Sequence, residues 1–108
     1  MTDKIVVLST CANAEQAESV ARSLVEKRLA ACVNLLGGAR SVYRWRGVVE
    51  EASECLLVIK SRRALFDALR SEVERLHSYE VPEVLALSVV EGSPAYLDWL
   101  DHELRPLA

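Results

Sequence analysis

The chain alternates between two hydrophobic periods, and each change of period marks an element. Ile5 to Leu8 is a short β-branched, apolar run of the kind a central, buried strand carries. The period then lengthens. Asn13 and Gln16 have the spacing of a capping box, and Ala17, Val20, Ala21, Leu24 and Val25 follow at helical intervals, which predicts a helix from about Ala14 to Arg28. Ala31 to Leu36 is again apolar, Gly37-Gly38 suggests a bulge or bend, and from Arg40 to Arg46 the pattern alternates. Ser41, Tyr43 and Trp45 take one parity, and the arginines at 40, 44 and 46 the other, roughly opposite Glu50, Glu51 and Glu54. Arg46-Gly47 predicts a hairpin turn, and Glu51 to Lys60 the return strand. Ser61 is placed to cap a helix over Arg63 to Leu76, with Leu65, Phe66, Leu69, Val73 and Leu76 on one face. Val84 to Val90 predicts a fourth strand, and Ser93-Pro94 an N-cap and first residue for a last helix from Ala95 to Leu104.

The order is β-α-β, hairpin, β-α-β and an extra C-terminal helix. This is the ferredoxin-like split βαβ plan of the α+β class, an antiparallel sheet with two helices on one face. The two most uniformly apolar runs, Ile5 to Leu8 and Cys55 to Ile59, then become the central strands. The other two strands are left as edges, and one sheet face is left bare. The second strand is also overlong, roughly ten or more residues where five or six is common, so its outer half with Tyr43 and Trp45 must pack elsewhere. Another subunit is the natural cover.

A length of 108 residues with 51% hydrophobic content fits one domain, 1–108, with a core of its own. The net charge of −3 speaks against nucleic acid as a partner, and no glycine-rich loop precedes a helix to cradle phosphates. The start resembles neither a signal peptide nor a membrane span, so a cytoplasmic protein with no membrane partner is expected. Cys11, Cys32 and Cys55 are widely spaced and odd in number, which reads as reduced thiols.

Chemistry gathers between the second helix and the fourth strand, in His77-Ser78-Tyr79-Glu80-Val81-Pro82-Glu83. Pro82 bars a helix from crossing this stretch. Its side chains either converge on a cleft or serve as a helix end, with solvated carboxylates and a His and Tyr over orphan carbonyls. Glu80 and Glu83 as an acid and base pair would make a small hydrolase, as would Cys11 as nucleophile; with no base in view, Cys11 reads as an inert loop thiol. His102, between Asp101 and Glu103, reads as exposed.

Five blocks together resemble the CutA divalent-cation tolerance family: Glu26 to Asn34; Ser41, Tyr43, Trp45 and Gly47; Glu54 through Lys60; His77, Tyr79, Glu80, Val81, Pro82 and Glu83; and Tyr96, Leu97 and Trp99. They span nearly the whole chain. The resemblance implies a non-enzymatic homotrimer, akin in topology to PII signalling proteins, linked to copper and other divalent cations. His77 and Glu83, with Cys11 as a further donor, are then the candidate ligands of a weak divalent metal site. The alternative is a PII-like sensor taking a small ligand in clefts between subunits, with an unknown protein partner. Two departures stand out. Ser78 replaces the proline usual after the histidine, which softens the helix stop, and Ser9 stands where some members place a ligand cysteine, two residues before Cys11.

Overall fold

The computed structural model describes residues 2–106. Strand β1 spans Lys4–Cys11, helix α1 Ala14–Glu26, β2 Cys32–Trp45 and β3 Val48–Arg62. A short 3-10 turn, Arg63–Leu65, leads into α2 at Phe66–Leu76, followed by β4 at Leu85–Ser88 and α3 at Pro94–Glu103. The sheet is antiparallel in the order β2-β3-β1-β4, so the two most apolar strands are central, as their composition predicts.

Alternation along the strands sorts the side chains. Val7 and Cys11 of β1 and Cys55, Leu57 and Ile59 of β3 lie under α1 and α2 in one core with Val20, Leu24, Leu69 and Val73. Each such side chain, taken out of water, contributes on the order of 1.5–3 kcal/mol. Val6, Leu8, Leu56 and Val58 face the other way and are half-buried, while Leu36, Leu85 and Leu87 beside them are exposed.

Asn13 caps α1 by accepting the Gln16 N–H at 2.8 Å, as the spacing predicts. The helix stops at Glu26 rather than Arg28 because Arg28 takes a positive φ of 58° and turns the chain. Its guanidinium donates to the carbonyls of His102, Glu103 and Leu104, so Arg28 also closes the C-terminal end of α3. Ser61 does not cap α2. Its hydroxyl donates to the Leu29 carbonyl at 2.7 Å inside the core, and the start of α2 has no side-chain cap.

A bulge interrupts β2 between Leu36 and Ala39, where Gly38 adopts a φ of 77° that a side chain would oppose. Beyond it β2 and β3 continue as a long two-stranded arm, turned by Arg46 and Gly47, both at positive φ as a type I′ hairpin requires. The arm gives the molecule extents of 44 × 25 × 22 Å. β3 runs three residues further toward the turn and two further toward α2 than the predicted Glu51 to Lys60. β4 is shorter than predicted, because only Leu85 to Ser88 pair with β1 before the chain leaves the sheet edge.

A polar cluster joins α1 to α2. Glu72 of α2 is buried and accepts from the Ser23 hydroxyl at 2.6 Å, the Lys27 ammonium at 2.8 Å and the Arg75 guanidinium at 2.7 and 3.0 Å. Hydrogen bonds from Arg75, Lys27 and Ser23 hold its carboxyl far below the usual carboxylate range.

Candidate functional site

The residues from His77 to Val84 wrap around the end of β1, from the helix-covered side of the sheet to its open side. α2 ends at Leu76 even without a proline at position 78: His77 is the extended cap residue, its N–H bonded to the Val73 carbonyl at 2.9 Å.

On the covered side, His77 meets Cys11. The imidazole Nε2 lies 2.6 Å from the Thr10 carbonyl and 3.6 Å from Cys11 Sγ, and Nδ1 accepts the Tyr79 N–H at 3.1 Å. An accepting Nδ1 leaves the ring proton on Nε2, where it is donated to Thr10. Cys11 is not in a loop. It is the last residue of β1, fully buried and directly opposite Cys55, and burial, with Cys55 and Glu54 adding, pushes its thiol up to about 11. A protonated thiol beside a donating nitrogen is not an activated nucleophile, so the base missing from sequence is present in space but set for the wrong proton transfer. Ser9 lies on the same covered face with its hydroxyl buried and without a partner among the described residues.

On the open side, the Tyr79 hydroxyl donates to Glu54 at 2.6 Å. Burial opposes ionisation of Glu54, but hydrogen bonds from Ser41, Tyr79 and Thr10 outweigh it and hold the carboxyl below its usual range. Burial, aided by Glu54, pushes the Tyr79 phenol well above its usual range. Glu54 forms the floor of a cleft of about 670 Å³ beneath the arm, walled by Tyr43, Trp45 and Tyr79 and rimmed by Glu50 and Glu83. The strand register puts Glu50 opposite Tyr43 and Glu54 opposite Ala39, on the aromatic face rather than opposite the arginines as expected. Of the three glutamates, Glu51 keeps to the arginine face as expected and pairs with Arg40, while Arg46 reaches across to Glu80 at 3.0 Å. His102 is exposed, as expected.

The structure thus brings His77 and Cys11 together and puts Glu83 on the cleft instead. Among the described residues, no three His, Cys, Asp or Glu side chains are placed to hold one metal ion. The Cys11 and His77 contact spans 66 positions and has no local signature; the strand end and the helix end were its only traces in sequence.

Together, the split βαβ sheet, the extended hairpin arm and polar groups collected at the end of β1 define an α+β ferredoxin-like domain with one bare apolar face. The chain belongs to the CutA1 divalent ion tolerance protein family, whose model matches residues 5–103. It is 50% identical over 95 residues to the divalent-cation tolerance protein CutA of Thermus thermophilus, covering 88% of this chain and 92% of that one. It is 46% identical over 101 residues to the chloroplastic protein CutA of Arabidopsis thaliana, covering 94% of this chain but 56% of that longer protein. The crystal structure of CutA from Xylella fastidiosa superposes with a TM-score of 0.93 at 40% identity, over 96% of this chain and all of that one.

Proposed function

We propose that the protein serves divalent-cation tolerance as a cytoplasmic homotrimer that holds a divalent cation such as copper weakly at the end of β1, with His77 and Cys11 as its first donors. One observation carries the cation site: Cys11 Sγ and His77 Nε2 are 3.6 Å apart. Two ligands of one tetrahedral ion, with metal–sulfur and metal–nitrogen bonds of about 2.3 and 2.0 Å, stand roughly 3.5 Å from each other.

The protons on these groups set the affinity. Binding must displace the Nε2 proton held against Thr10, move it to Nδ1 at the expense of the Tyr79 N–H contact, and remove the Cys11 proton. A two-donor site with these costs is weak, with water supplying the remaining positions. Glu83 joins only if the loop after α2 shifts. The trimer draws support from the bare apolar face and the overlong arm, and the cytoplasm from three free cysteines. A second reading, the PII-like sensor, is favoured by the cleft beneath the arm.

Copper(II) titration by calorimetry of wild type, His77→Ala and Cys11→Ser, with light scattering to follow assembly, tests the reading. Each substitution should weaken binding about tenfold or more, and wild-type affinity should rise with pH as proton release becomes easier. Wild-type binding by both variants, with the assembly intact, excludes the site.

A further inference from the structure

Glu54 is an ionised carboxylate that is only 9% exposed, yet its contact is with the Tyr79 hydroxyl, with Ser41, Thr10 and the His77 ring nearby and no lysine or arginine paired with it among the described residues. A buried charge normally has a counter-charge or a bound ion, because hydroxyl dipoles recover only part of the hydration lost. The arginines along the arm are engaged elsewhere, Arg40 with Glu51, Arg44 with the Gly47 carbonyl and Arg46 with Glu80. Glu54 is also not sealed in the core: it forms the floor of a cleft whose volume of about 670 Å³ suits a small organic molecule.

The walls of this cleft are aromatic, and that decides the class of cation. A metal ion gains nothing from Tyr43 and Trp45, whereas an organic cation is attracted to ring faces and can bury an apolar body against them. The chain already shows this chemistry at the rim, where the Arg46 guanidinium sits 5.3 Å from the centre of the Trp45 ring while bound to Glu80. Glu50, Glu80 and Glu83 add negative charge to the lining, against the single cation Arg40, whose guanidinium is paired with Glu51.

We propose that this cleft binds a small organic cation, an amine or guanidine on an apolar or aromatic body, with its charged head against Glu54 and its body among Tyr43, Trp45 and Tyr79. The inference rests on the sensor reading in placing a small ligand here, and with it on an assembly whose subunit contacts leave the Tyr43 and Trp45 side of the cleft open.

The test is titration of the native, assembled protein with phenethylamine, its neutral counterpart 2-phenylethanol, and copper(II) or magnesium alone. Trp45 fluorescence in a Trp99→Phe background and calorimetry report binding. The amine should bind saturably, about tenfold more tightly than the alcohol. Glu54→Gln should remove that tenfold preference. Because Glu54→Gln also alters the Tyr79 contact, Tyr43→Leu, which leaves Glu54 and its hydroxyl partners in place, should independently weaken the amine several-fold. Equal binding of amine and alcohol, amine binding unaffected by both substitutions, or saturation of the cleft by metal alone overturns the proposal. A cleft that takes neutral or anionic molecules but no amine defeats this inference and leaves the sensor reading standing; a cleft that takes none defeats both.

Discussion

The two faces of the sheet carry similar side chains and meet opposite environments. Under α1 and α2, Val7, Leu57 and Ile59 are fully buried, whereas on the reverse face, one residue along the same strands, Val6, Leu8 and Val58 are half-buried. On that face the edge residues Leu85 and Leu87 are 58% and 54% exposed. Apolar residues on both sides of a strand are the mark of a sheet covered on both sides, and one chain provides cover for one side only.

The sharpest test of this difference pairs a truncation on each face. Leu57→Ala should cost about 2–5 kcal/mol in denaturant unfolding, with a loss independent of protein concentration, because its cavity lies within the chain's own core. Leu87→Ala leaves little cavity in the isolated chain. Its cost should therefore appear as weaker assembly in light scattering and a concentration-dependent melting midpoint. Equal, concentration-independent losses would show that the two faces do not differ in what covers them.

The central place of β1 and β3, the hairpin turn, the Asn13 cap and the α3 start were legible in sequence because each rests on short-range chemistry or an apolar run. The features that escaped depend on distant partners. Ser61 looked like a helix cap by position but found the Leu29 carbonyl, brought beside it by the pairing of β2 with β3. Glu72 carries no signal in the sequence, and its partners Ser23 and Lys27 come to it only because α1 lies against α2. Glu54 and Glu50 were assigned beside the arginines because the register of the arm, set beyond the Gly37-Gly38 bulge, is not written in the alternation of either strand alone. Of the candidate site, the junction was visible as a cluster, but its division into a His77 and Cys11 contact on one side and the Glu54 cleft on the other is a property of the tertiary path.

Glu72 gives the second test, confined to the covered side, where its contacts tie α1 to α2. Glu72→Gln should destabilise by about 1–2 kcal/mol at neutral pH, discounted from a fully buried network because Lys27 and Arg75 are half-exposed. Its folded-state pKa is depressed, so this contribution is present above the unfolded carboxylate value near 4.3 and is lost as pH falls below it. Urea midpoints of wild type and variant should converge between about pH 4 and pH 2. A gap that persists undiminished into acid would mean the contact is steric rather than ionic.

The smallest effect, invisible at neutral pH, separates the faces by their thiols. Cys11 lies on the covered face with no exposed surface, and Cys32 lies half-buried at the start of β2 on the open side. Under native conditions an alkylating reagent should label Cys32 first, while Cys11 waits for opening of the core. The Cys11 thiol is raised from an ordinary value of 9.0 to about 11, and a raised pKa stabilises below the unfolded value and loses that contribution as pH climbs toward the folded one. Wild type should thus lose about 1 kcal/mol by pH 10 that Cys11→Ala does not lose, although the variant starts lower for want of its sulfur. Tyr79, whose phenol is raised further still, begins its own loss near its ordinary value of 10.0, and it does so equally in both proteins, so the difference between them still reports Cys11. If Cys11 labels as fast as Cys32, or if both proteins fall together between pH 9 and 10, then the end of β1 is open to water, and the cost assigned to removing the Cys11 proton on metal binding disappears with it.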